Sequence, residues 1–119
     1  MKATITSLIF LLLSLTVSSQ TYKYIGIEEG LSNQKIYKIQ KDARGYMWFL
    51  THVGIDQYNG KEIKHYKLRE GNRELDPLLN INWTFLDKTG TLLVTGKQGR
   101  IFRYDSGHDR FVQIYNMYN

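Results

Sequence analysis

The sequence predicts an all-β fold made of two four-stranded antiparallel sheets, and three observations predict it. Asp42-Ala43-Arg44-Gly45 and Asp87-Lys88-Thr89-Gly90 are the same Asp-x-x-Gly turn 45 residues apart, each followed by an apolar run. Gly54 and Gly99 keep that spacing of 45, and Tyr58 and Tyr104 follow at 46, after one inserted residue. Strand formers are plentiful, with 9 Tyr, 5 Phe and 2 Trp against a single Pro. Aromatic and β-branched side chains fit a pleated, half-buried surface.

The elements of the first copy are expected at 35–41, 46–51, 54–59 and 62–68. Asp at the first place of a turn and Gly at the fourth suit a type I turn followed by a left-handed residue. The Asp side chain can accept from backbone N–H groups within the turn. Asn59-Gly60 reads as a hairpin in which both residues take positive φ. The second copy is expected at 80–86, 91–96, 100–105 and 110–116, with Asp105-Ser106-Gly107 doing the work of Asn59-Gly60. The stretch Tyr46–Thr51 (YMWFLT) is apolar at almost every position, so it is covered on both faces. A sandwich strand with one wet face would alternate instead. A period of about 45 residues with four strands per unit is that of a β-propeller blade.

The chain divides accordingly. Residues 1–19 read as a secretory signal peptide: Lys2 gives a positive start, Ile5–Val17 an apolar core, and Val17-Ser18-Ser19 small residues before a cut at Gln20. Residues 20–34 form a lead-in, 35–68 blade one, 69–79 a linker loop and 80–119 blade two. Removing 19 of 119 residues leaves 100, enough for two blades, whereas a ring closes with roughly four to eight. The expectation is therefore an incomplete propeller, the N-terminal piece of a longer protein or a truncated form. Tyr22–Ile27 (YKYIGI) reads as an outer strand donated to a closing blade, and is expected to be loosely held or laid along a blade edge.

Composition excludes several chemistries. There is no cysteine, hence no disulfide framework, thiolate nucleophile or Cys-type metal site. The net charge of +5 falls to +4 without Lys2. The basic residues are scattered, which reads as a solvated face rather than a nucleic-acid surface. His52, His65 and His108 lie far apart in sequence, without ligand spacing. Asp105 and Asp109 flank a turn and match no calcium loop. Ser32 and Ser106 show no His–Asp partner. No catalytic residue, metal site or cofactor is expected. Trp48, Trp83 and Tyr46 are the rings able to stack on a sugar, with core packing the stronger reading for Trp48.

Residues 30–60, GLSNQKIYKIQKDARGYMWFLTHVGIDQYNG, resemble the two-component regulator propeller repeat. Gly30-Leu31-Ser32, Ile36, Ile39, Asp42, Gly45, Trp48-Phe49, Thr51, Gly54, Tyr58 and Gly60 stand at the places of that pattern. Leu50 replaces a Gly, and Ile55 a Leu. In the second copy Asp87, Gly90, Gly99 and Tyr104 persist, but Leu93 replaces the Trp and the Gly-Leu-Ser lead-in is missing. The resemblance implies an exported, periplasmic propeller that senses a ligand, such as an oligosaccharide, for a membrane histidine kinase. Its partners would be that kinase or the remaining blades, and the chain itself would not be an enzyme. Two other readings stand beside it. A fragment of an exported propeller carbohydrate-active enzyme needs paired carboxylates, and Glu28-Glu29, the sole adjacent acid pair, lies in the lead-in. A small secreted interaction protein needs its apolar edges covered by self-association.

Overall fold

The computed structural model describes residues 2–13 and 18–118. Helix α1, Lys2–Leu13, leads the chain. Ser14–Val17, the end of the expected signal core, lie outside the described residues. No helix among the described residues is long and apolar enough to cross a membrane.

Among the described residues the body is mostly β. The first sheet runs β1 (Ile36–Lys41), β2 (Met47–Thr51), β3 (Gly54–Tyr58) and β4 (Ile63–Tyr66), each antiparallel to the next. A hairpin of β5 (Arg69–Glu70) and β6 (Arg73–Glu74) and a short helix α2 (Pro77–Asn80) follow. The second sheet runs β7 (Trp83–Leu86), β8 (Leu92–Thr95), β9 (Arg100–Asp105) and β10 (Arg110–Asn116) in the same up-and-down order. These are two propeller blades, and they do not close a ring.

The two turns reproduce each other bond for bond. Asp42 N–H donates to the Tyr46 carbonyl (3.0 Å) and Gly45 N–H to the Asp42 carbonyl (3.1 Å). Asp87 N–H donates to Thr91 and Gly90 N–H to Asp87, both at 2.9 Å. Asp42 Oδ1 accepts from the amides of Arg44 (2.9 Å) and Tyr46 (3.0 Å). Asp87 Oδ1 accepts from those of Thr89 (2.8 Å) and Thr91 (3.0 Å).

The outer hairpins differ from the sequence expectation. Of Asn59-Gly60 only Gly60 takes positive φ, at 98°. Asn59 instead accepts on Oδ1 from the amides of Lys61 and Glu62. In copy two the left-handed residue is Asp109 (φ 50°), not Gly107. The loop between β9 and β10 places its reversal two residues later, where an aspartate tolerates it.

The segment 69–79 is not a plain loop. Asp76 caps α2 by accepting from Leu78 N–H (2.9 Å), and Pro77 occupies the first turn. This is the usual start of a helix. It displaces the start of the next strand from residue 80 to Trp83. Nor is Tyr22–Ile27 a strand. Tyr22 and Tyr24 are exposed, and the chain turns at Gly26–Gly30 through Leu31 N–H to the Gly26 carbonyl (3.0 Å). Lys23 Nζ donates to Tyr58 Oη at 2.6 Å.

Cross-strand partners share a face, so the registers sort the side chains. Trp48, Leu50, Ile55 and Tyr66 face the second sheet and join Leu92, Val94, Phe102 and Tyr104 in one core with Leu68, Leu75 and Ile81. The opposite face of sheet one carries Phe49, Asp56 and Tyr58 beneath the lead-in, where Leu31 is buried. Four of the five β2 residues are buried, as the unbroken apolar run requires. The far face of sheet two carries the rows Phe85–Leu93–Arg103–Val112 and Trp83–Thr95–Ile101–Tyr115.

Candidate functional site

The blades meet at four rings. Trp48 (β2), Tyr66 (β4), Tyr104 (β9) and Phe111 (β10) make all six pairwise contacts, with centroids 4.7–5.8 Å apart and planes tilted by 51–82°. Tilted and edge-on arrangements are those that aromatic quadrupoles favour. Asp109 fastens this cluster. Its Oδ1 accepts from Tyr66 Oη (2.5 Å) and Tyr104 Oη (2.7 Å), and its Oδ2 faces Lys64 Nζ at 3.3 Å. One carboxylate thus ties β4 of one blade to β9 of the other.

These bonds move the titrations. Hydrogen bonds from Tyr66 and Tyr104 hold Asp109 below the ordinary 3.8. Burial, then the bond to Asp109, raises Tyr66 and Tyr104 above the ordinary 10.0. A raised phenol stabilises the fold in full below its unfolded pKa and loses that contribution as pH rises through the folded value. A depressed carboxylate stabilises above 3.8 and loses its contribution as pH falls through the folded value. Two of the 9 tyrosines are therefore expected to ionise only as the sheets unfold, read by phenolate absorbance alongside circular dichroism. All nine ionising together with the sheets intact would contradict this. On the acid side, the urea midpoint should fall below pH 3.8, and Asp109→Asn should flatten that fall.

A second polar cluster holds the lead-in. Asp56 is fully buried and accepts on Oδ2 from Ser32 N–H (2.8 Å) and on Oδ1 from Ser32 Oγ (2.7 Å). His65 Nδ1 lies 2.7 Å from the same Oδ1. No His–Asp partner for Ser32 is visible along the chain, and the structure corrects that expectation. Asp56 on β3 pairs with His65 on β4, and the lead-in folds back over both. The connectivity is nevertheless not that of an activated serine. The carboxylate stands between the two groups, whereas in a Ser–His–Asp relay the imidazole lies between serine and carboxylate. The cluster is a clasp for Gly30-Leu31-Ser32. In copy two the clasp and its receptor vanish together: Phe102 stands in Asp56's place and the Gly-Leu-Ser is absent.

Copy two also replaces the indole. Trp48 Nε1 donates to Asp42 Oδ2 at 2.8 Å. With Leu93 at the corresponding position, Asp87 Oδ2 accepts instead from Arg103 Nε at 2.9 Å. The bonds from Thr89 first, with those from Thr91 and Arg103, hold Asp87 well below the usual carboxylate range.

The remaining candidates fall apart in space. His52 pairs with Tyr37 and His108 with Asp105. Glu29 Oε2 accepts from Gly26 N–H, a turn contact. Among the described residues no group of three or more His, Cys, Asp or Glu converges as metal ligands would. Of the three rings weighed for stacking, Trp48 is fully buried and Tyr46 packs half-buried against the core. Trp83 is 47% exposed. It lines a cleft of about 500 Å³ with Tyr37, Leu78, Ile81, Asn82 and Lys97. The Lys38 ammonium covers its ring at 3.8 Å from the centroid. A groove of about 540 Å³ between β4 and β10 is more polar, with Lys67, Arg69 and Arg110 opposite Glu70 and Asp109.

Repeated four-stranded blades with Asp-x-x-Gly turns define the chain as a propeller protein. Residues 30–52 match the family model of the two component regulator propeller, the segment spanning the clasp, β1, the Asp42 turn and β2. No curated protein matches the chain.

Proposed function

We propose that these blades belong to the periplasmic ligand-sensing propeller of a two-component regulatory system, that the chain is exported by its N-terminal segment, and that the ligand is an oligosaccharide. The match of residues 30–52 to the family model of the two component regulator propeller supports this reading. That match falls on the lead-in and first two strands of a four-stranded blade, and this is the observation that carries the reading. Such repeats are binding scaffolds rather than catalysts, which fits a sensor that passes occupancy to a kinase. Within the described clefts, the one with exposed rings suits a sugar: Trp83, with Lys38 over one face of its ring, lines it with Tyr37, and Asn82 and Lys97 offer donors.

The test is intrinsic fluorescence. Trp48 is buried and Trp83 half-exposed, so a sugar in the cleft should change the Trp83 emission and raise the melting temperature. Neutral and acidic oligosaccharides from polysaccharide digests supply the panel. Trp83→Phe should abolish the emission response. A panel that moves neither emission nor melting temperature would overturn the oligosaccharide reading.

A further inference from the structure

The groove of about 540 Å³ opens at the outer rim, where β4 and the β5–β6 hairpin face β10. It lies at the opposite edge of the sheets from the Trp83 cleft, which β1 and β7 border. Both of its walls belong to this chain. Phe111 and Gln113 on β10 stand in register with Tyr104 and Phe102, two residues of the core shared with sheet one. A further blade would pack on the other face of sheet two and leave the groove as it is.

The charges of the groove are unevenly matched. Its carboxylates are already committed. Asp109 accepts from Tyr66 and Tyr104 and pairs with Lys64. Glu70 holds Arg73 at 2.5 Å and Arg100 at 3.5 Å. Glu74 takes Lys67 at 2.7 Å and reaches Arg69 only at 4.0 Å. Arg110 forms no ion pair among the described residues. A guanidinium is a rigid fork of donors that matches an oxyanion with two parallel bonds. The wall also carries an unused acceptor. Gln113 Oε1 is shielded from solvent and accepts from no donor among the described residues. A buried acceptor without a partner is destabilising, and a donor entering the groove would relieve it.

We propose that this groove binds a small oxyanion carrying a hydroxyl, with its charge on Arg110 and Arg69 and its hydroxyl donating to Gln113 Oε1. The volume falls within the roughly 300–1,000 Å³ of small-molecule sites. The proposal does not depend on the sugar reading of the Trp83 cleft.

Calorimetric titration of the full chain tests it with three probes. D-Glucuronate has a carboxylate and hydroxyls, D-glucose the hydroxyls alone, and inorganic sulfate the charge alone. Glucuronate should bind, glucose should give no heat of binding in the groove, and sulfate should bind more weakly than glucuronate. Arg110→Gln should weaken glucuronate about tenfold or more, as loss of a charge-assisted bond requires. Gln113→Leu should weaken glucuronate and leave sulfate unchanged. Circular dichroism of both variants should match the parent. Trp83→Phe should leave the glucuronate binding in place, which keeps this site distinct from the cleft. Glucuronate that binds no better than glucose overturns the proposal. So does glucuronate binding that survives both Arg110→Gln and Gln113→Leu, or that vanishes with Trp83→Phe, since the anion would then sit elsewhere. Sulfate binding tighter than glucuronate would mean an adventitious ion only and overturn it as well.

Discussion

Trp48→Ala is expected to destabilise the chain by about 3–5 kcal/mol, the range for deleting a large buried ring. Total stability of a domain is about 5–15 kcal/mol, so the loss is a large fraction of the total. The loss has two parts. The indole fills the centre of the four-ring cluster and touches Tyr66, Tyr104 and Phe111, so its removal opens a cavity between the blades. Its Nε1 also satisfies Asp42 Oδ2, which would be left without that donor. Trp48→Phe separates the two. It retains most of the ring packing and should cost about 1–3 kcal/mol, the range for orphaning a buried polar group. Urea unfolding followed by circular dichroism gives both values. A Trp48→Ala variant within about 1 kcal/mol of the parent, the range of an ordinary point mutation, would show that the blades are not held through this cluster.

Gly90→Ala should rank second. The left-handed backbone at φ 76° costs an L-residue about 1–2 kcal/mol. The new methyl would also press on Ala43 Cβ at 2.3 Å, and overpacking adds about 1–3 kcal/mol. Gly45→Ala is the internal control. Its φ is 85° and no atom lies within 4 Å, so in the single chain only the backbone cost should appear. Ala43→Gly in the Gly90→Ala background should recover the packing part alone. Equal losses at Gly45 and Gly90 in dilute solution would mean that the turn-to-turn contact contributes nothing.

The fold was legible because the repeat writes its turns in residues with special backbone needs. Asp42, Gly45, Asp87 and Gly90 fix both the count and the spacing of strands. The unbroken apolar run in β2 shows that the sheet is covered on both faces. The site was far less legible. Asp56 reads as one polar letter inside a strand, and only the β3–β4 register and the folded-back lead-in reveal Ser32 and His65 around it. A carboxylate in the middle of a buried strand was the available clue, since such a group needs partners. Asp109 was read as turn chemistry alone. Its bonds to Tyr66 and Tyr104 depend on how two sheets stack, which no local pattern encodes. The helix α2 was hidden in Asp76-Pro77, a cap and first-turn pair that also suits a loop.

The exchange of donors at the two aspartate turns makes the duplicated blades unequal in their response to surroundings. Asp42 is served by a neutral indole in the dry interior, and that bond takes no notice of dissolved ions. Asp87 is served by a guanidinium 41% exposed and 2.9 Å away, and the screening length falls to about that distance, roughly 3 Å, only near 1 M salt. Salinity therefore acts on one turn and spares its twin, so a chain built from two copies of one unit loosens from the second copy first in brine.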